Sequence, residues 1–165
     1  MLKLFGKYVS DDLEKLWNIY NEYCASDRNQ LHVGALGLLK EFANTFKYGI
    51  LTSSSEKRVG IELSELGLPR TLLVEVQTSE HTKVHKPNPL FFEPICKTLA
   101  NIGVSRSEIL YVGDAVGDYT AATGFGLQFI GMAHTEREKK VFSQKSIEYL
   151  EGFAQLADFL RSRQT

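Results

Sequence analysis

Long apolar runs, clustered cysteines, a charge excess and internal repeats are all missing from this 165-residue chain. No stretch approaches the roughly 20 apolar residues that span a bilayer. The opening Met1-Leu-Lys-Leu-Phe-Gly is too short and polar for a signal peptide. A soluble, cytoplasmic protein with no membrane partner is therefore expected. The net charge of −1 and sequence pI of about 6.4 give no electrostatic case for nucleic acid. Cys24 and Cys96 stand alone in helical patterns, which excludes a disulfide framework and points to buried free thiols. His32, His81 and His134 share no metal-site spacing, and a lone histidine such as His85 is more often structural than catalytic. The length suits one domain that buries about 70% of its unfolded surface.

What is present is an alternation of short apolar runs and helical patterns. Helices are predicted near 11–25, 35–46, 55–66, 89–102, 117–125 and 152–162, and strands near 48–52, 72–77, 109–113, 127–131 and 146–150. Such alternation predicts an α/β fold, a parallel sheet with helices on both faces and right-handed crossovers. Phe42, Phe46, Phe91, Phe92 and Phe129 fall on element faces and are read as core. The charge run Glu136-Arg-Glu-Lys-Lys140 is read as a solvated surface segment.

Three segments carry chemistry. Ile109-Leu-Tyr-Val-Gly-Asp-Ala-Val-Gly-Asp118 is a strand that breaks into glycine and two aspartates four residues apart. Gly113 permits a sharp turn at the carboxyl end, where open α/β sheets bind ligands. Asp114 and Asp118 suit Mg²⁺, which takes one or two carboxylates plus phosphate oxygens. They equally suit an N-cap and a first-turn acid of a helix. Tyr48-Gly-Ile-Leu-Thr52 runs into Ser53, Ser54 and Ser55 before a helical pattern, so hydroxyls and free amides meet at a helix start. This arrangement is either a phosphate cradle or a serine-rich cap. In Lys83-Val-His-Lys-Pro-Asn-Pro89, the prolines stiffen the segment that carries Lys86, making an oriented cation out of what is otherwise a solvated charge.

The order of these segments is similar to that of the haloacid dehalogenase-like hydrolases. Thr52 matches the second motif of that family, Lys86 the third, and Asp114 with Asp118 the fourth. Glu65-Leu-Gly-Leu68 and Ala121-Ala-Thr-Gly-Phe-Gly126 resemble the helix ends that follow the second and fourth motifs. The resemblance covers roughly residues 31–160. It implies a three-layer αβα Rossmann-like core and Mg²⁺-dependent hydrolysis of a small-molecule phosphate ester. It assigns Thr52, Ser53 and Lys86 to phosphate, Asp114 and Asp118 to metal, and catalytic roles to Lys86 and Asp118. Motif style resembles the phosphoglycolate phosphatase-like branch, and the Gly-Asp-x-x-x-Asp motif favours phosphate chemistry over dehalogenation.

The family's first motif, Asp-x-Asp, whose leading carboxylate attacks phosphorus, occurs nowhere in the sequence. Asp11 and Asp12 follow Ser10 and precede Leu13, Leu16, Trp17, Ile19, Tyr20 and Tyr23 at helical spacing, so they read as first-turn acids behind a Ser10 N-cap. Residues 1–30 thus resemble the last helix of an α-helical cap, with 31–165 forming a core without its nucleophile strand. Two readings stay open. In one, the chain is part of a longer phosphatase and nearly inactive alone; in the other, it is a non-catalytic phosphate-binding or interaction domain. Either way the sheet lacks a strand, and residues 1–9 are expected to be extended, packed at the sheet or mediating self-association.

Overall fold

The computed structural model describes residues 12, 14–16, 18, 19, 22 and 30–163. The chain divides into two units, Met1–Gln30 and Leu31–Thr165. In the first, residues 14–16, 18, 19 and 22 are helical. Asp12 starts this helix as its cap: its carboxylate accepts from the Lys15 amide at 2.9 Å and its carbonyl from that of Leu16 at 3.1 Å. Asp12 is therefore a cap and not a first-turn acid. Ser10, Asp11, Cys24 and the extended segment expected over 1–9 lie outside the described residues.

The second unit alternates as the sequence predicts. Its elements are α1 (Ala35–Glu41), β1 (Tyr48–Leu51), α2 (Glu56–Glu65), β2 (Leu73–Gln77), α3 (Glu93–Asn101), β3 (Leu110–Gly113), α4 (Val116–Phe125), β4 (Gln128–Met132), α5 (Glu136–Gln144), β5 (Tyr149–Leu150) and α6 (Phe153–Arg161). Every strand pairing is parallel: β1 with β2, and β3 with β4 with β5. Among the described residues the strands form two sheets, because β1 and β3 do not pair with each other.

Alternation along β3 and β4 builds the layers. Leu110 and Val112 of β3, with Ile130 and Met132 of β4, face Leu38 and Phe42 at α1 and Leu156 and Leu160 of α6. Tyr111 and Phe129 point the other way, into Phe91, Phe92, Ala121 and Ala122. Tyr48 packs on the first group and Leu51 on the second, so hydrophobic contacts tie both sheets into one core. Phe42, Phe91 and Phe92 are almost fully buried, and Phe46 and Phe129 pack partly buried against the same core. Removing such a ring costs about 3–5 kcal/mol.

Two local departures from the predicted elements have clear causes. The charged run from Glu136 belongs to α5, whose start is a capping box: Thr135 Oγ1 accepts from the Glu138 amide, and the Glu138 carboxylate accepts from those of His134 and Thr135. Phe142 on its inner face is buried against Ala133 and Ile147. The strand expected over 146–150 shrinks to Tyr149–Leu150. Ser146 adopts a left-handed φ of 53° and the Ile147 amide closes back on Phe142.

Candidate functional site

The segment after β3 carries Asp118, the one buried carboxylate among the described residues. β3 ends at Gly113 and α4 begins at Val116, so Asp118 sits in the first turn of α4, facing back toward the strand end. Its carboxylate is nearly inaccessible, at 5% exposure. One oxygen, Oδ2, accepts from the backbone amides of Asp114 (3.2 Å) and Ala115 (3.1 Å). The other, Oδ1, accepts from Lys86 Nζ at 2.6 Å and from the Tyr111 hydroxyl at 3.5 Å. Both oxygens are thus committed, and Asp118 organises the turn and the cation together.

Gly113 is required here for space. A Cβ on it would stand 2.7 Å from the Asp118 Cβ and 2.8 Å from Oδ2. Its φ is not positive, so the turn it was expected to permit is not what demands glycine. The close approach of strand and carboxylate does.

Lys86 reaches the site from a loop fixed at both sides. It precedes a cis peptide to Pro87. Beyond it Asn88 caps the helical turn Pro89–Phe92 through the Leu90 amide at 3.0 Å. Pro89 packs where any Cβ on Gly124 of α4 would lie, 2.7 Å from its ring. Buried Gln77, the last residue of β2, donates to the Phe91 carbonyl at 2.6 Å and accepts from the Ile95 amide at 3.0 Å, pinning this segment to the sheet. Nζ then donates to Tyr111 at 3.2 Å as well as to Asp118, and lies 5.4 Å from the Phe91 ring centre. Burial alone would lower the Lys86 pKa. The hydrogen bonds and charge of Asp118 and Tyr111 outweigh it and hold the ammonium above its ordinary value.

Asp114 is the contrasting carboxylate. It is exposed, and its pKa is raised, first by partial burial and then by its hydrogen bond with Asp118 and the like charge there. A carboxylate in that state gains from a cation. Tyr111 is likewise raised, chiefly by burial.

The other motif lies at the end of β1. The Thr52 amide donates to the Gln77 carbonyl at 2.9 Å, and its half-buried hydroxyl accepts from the Ser54 amide at 3.0 Å. Ser55 caps α2 through the Arg58 amide at 3.3 Å. The amides of Ser54 and Arg58 are therefore engaged within the loop, whereas Ser53 is exposed. Among the described residues no hydrogen bond or ion pair joins Thr52 or Ser53 to Lys86, Asp114 or Asp118. The structure brings Lys86, Asp114 and Asp118 together and leaves Thr52 and Ser53 at a separate strand end. His85 is exposed. Among the described residues no three His, Cys, Asp or Glu side chains cluster as metal ligands. Tyr111 and Gln77 were not singled out from sequence, although a hydroxyl-bearing ring and an amide inside apolar strands were the available signals.

Comparison with known proteins gives the family and the fold. The sequence model of the haloacid dehalogenase-like hydrolases matches residues 1–132, and the chain belongs to that family. It is 28% identical over 144 residues to a Clostridium perfringens protein named "Putative pyrophosphatase PpaX", covering 81% of this chain. The chain spans 62% of that curated relative's length. Among solved structures, a "putative phosphoglycolate phosphatase" from Lactobacillus plantarum superposes with a TM-score of 0.72 at 18% identity, over 95% of this chain and 75% of that one. CbbY from Rhodobacter sphaeroides in complex with phosphate gives 0.64 at 21% identity, over 80% and 58%. These two likenesses are likenesses of fold.

Proposed function

We propose that this chain supplies the phosphate- and cation-binding part of a Mg²⁺-dependent phosphohydrolase acting on small phosphate monoesters. The observation that carries the reading is the ammonium of Lys86 held on Asp118 at the carboxyl end of β3, with the exposed carboxylate of Asp114 on the turn that Asp118 also holds. Phosphoryl transfer is helped mainly by positioning and by neutralising charge on the phosphoryl oxygens. Lys86 supplies that charge from a prearranged position, and the Thr52 hydroxyl with the Ser53 amide takes phosphate oxygens. Asp118 has both oxygens engaged, so its part is to hold Lys86 and the Asp114 turn in place. Asp114 is the carboxylate that would hold Mg²⁺, a hard cation that takes oxygen ligands and, when bound, offsets phosphate charge. With so few carboxylates the affinity should be millimolar or weaker.

The nucleophile comes, on this reading, from an Asp-x-Asp strand outside these 165 residues. Among those residues β1 and β3 each pair on one side only, so a strand from residues 1–9, from a longer chain or from a second copy completes the sheet. Residues 1–30 are then the last helix of an α-helical cap, and the protein works in the cytoplasm. The relatives named as a "putative pyrophosphatase" and a "putative phosphoglycolate phosphatase" support phosphate chemistry. The missing Asp-x-Asp also favours a second reading, a non-catalytic phosphate-binding domain.

The test is a titration of the chain with inorganic phosphate and Mg²⁺, followed by amide chemical shifts. Shifts at Ser53, Ser54 and Asp114 that Lys86→Ala abolishes are expected; none at these positions would overturn the reading. A chromogenic phosphate monoester separates the two forms, because loss of a nucleophile from a cooperating catalytic group costs on the order of 10⁶ in rate. Turnover should be near background, and joining an Asp-x-Asp strand ahead of residue 1 should restore it if the first form holds.

A further inference from the structure

Among the described residues no hydrogen bond or ion pair joins the Thr52–Ser55 loop to the Lys86 segment. A carboxylate outside every motif, on the turn that follows β2, ties that turn to the end of the Thr52–Ser55 loop. Glu80 follows β2 on the way to Lys86, and its Oε2 accepts from the Glu56 amide at the start of α2 (3.1 Å), from the Thr78 hydroxyl (2.7 Å) and from the Ser79 hydroxyl (3.1 Å). The Ser79 amide donates to the Ser54 carbonyl at 3.0 Å. Thr78 is 1% exposed, and its amide donates to His81 Nδ1 at 3.0 Å, folding the chain toward Val84.

We propose that Glu80 is a positioning residue that fixes the Thr52–Ser55 loop and the start of α2 to the turn after β2, the connection that runs on toward Lys86. Its three partners lie on α2 and on the turn that follows β2, so one carboxylate ties two backbone elements together. Charge-assisted bonds of this kind are roughly twice as strong as neutral ones. They hold the Glu80 carboxyl below its usual range, chiefly through Thr78. The other titratable groups at this junction are Glu56, on the first turn of α2, and His81, across Thr78. The phosphate meaning of the bridge rests on the function proposed above, but the bridge itself does not.

The experiment uses the full chain with Glu80→Gln and Glu80→Ala. In the unsubstituted protein the amide shifts of Ser54, Glu56 and Ser79 should follow one common acidic titration, which Glu80→Gln removes. Amide exchange at Glu56 and Ser79 should rise about tenfold in Glu80→Ala, the scale of one lost hydrogen bond, and stay near the original rate in Glu80→Gln. Inorganic phosphate binding should weaken by a similar factor in Glu80→Ala and be largely rescued by glutamine. Unchanged exchange, or separate titrations of the three amides, would overturn the proposal. So would tighter phosphate binding in both variants, which would make Glu80 a competitor for the anion. If no variant binds phosphate, the function proposed above fails, and the titration and exchange results still decide the role of Glu80.

Discussion

The ends of β1 and β3 carry motifs of equal promise in sequence and are built in opposite ways. At β3, Lys86 is brought from another segment onto Tyr111 and Asp118, and the three side chains, buried or half-buried, are mutually bonded. At β1, the Thr52 hydroxyl and Ser55 bond within their own few residues and remain partly open to water. The first is a prearranged electrostatic unit whose members depend on one another. The second is a local turn whose polar groups cost little to lose. Substitutions at the two ends should therefore differ in kind, with stability at risk near β3 and binding alone near β1.

The sharpest break in that contrast is Asp118→Ala. It leaves the Lys86 ammonium without its partner at 23% exposure and frees two backbone amides, and about 3 kcal/mol of folding stability should be lost. Urea denaturation measures it; a loss under 1 kcal/mol would show that the pair is not the organising element. Gln77→Ala comes next. It strands the Phe91 carbonyl and the Ile95 amide, at a cost of about 2 kcal/mol, and should also loosen Lys86, visible as faster amide exchange over 86–92.

A pH series sharpens the comparison further. The Lys86 pKa is raised in the folded state, so its contribution is fully present below the ordinary lysine value and is lost as pH rises through the higher folded value. Stability should fall on the alkaline side, and Lys86→Met should flatten that limb while lowering the neutral plateau. Thr52→Ala should cost only about 0.5–1 kcal/mol, one half-buried side-chain bond, while weakening phosphate binding more than stability. Smallest of all is Asp114→Asn. Because the Asp114 pKa is raised, its ionisation costs stability above the folded value and nothing below the unfolded one. The variant should melt slightly higher at neutral pH, match the parent in acid, and lose Mg²⁺ binding.

Much of this was legible beforehand, and the exceptions share a cause. Strands such as 48–52 and 109–113 could be placed to within a residue, since buried parallel strands are short apolar runs closed by glycine or hydroxyl residues. The α5 helix was missed because its first turns are nearly all charged, and only Thr135, Glu138 and buried Phe142 betray it. The site residues were legible as types in order. Their division of labour was not, since the saturation of both Asp118 oxygens depends on Tyr111 and on a loop held by Gln77. Periodicity speaks of faces, whereas bonding partners many residues away leave no local trace.

The closed pairing of Lys86 with Asp118 also bears on the sequence of events at the site. Those two charges cancel, so of Lys86, Tyr111, Asp114 and Asp118 only Asp114 leaves a net charge, and it is negative. On the function proposed above, a phosphate arriving alone would meet repulsion, and one arriving after a divalent cation would meet a local charge that has changed sign. The proposed encounter would then be ordered, cation before anion. By thermodynamic reciprocity, whatever factor the cation adds to phosphate affinity, phosphate returns to the cation.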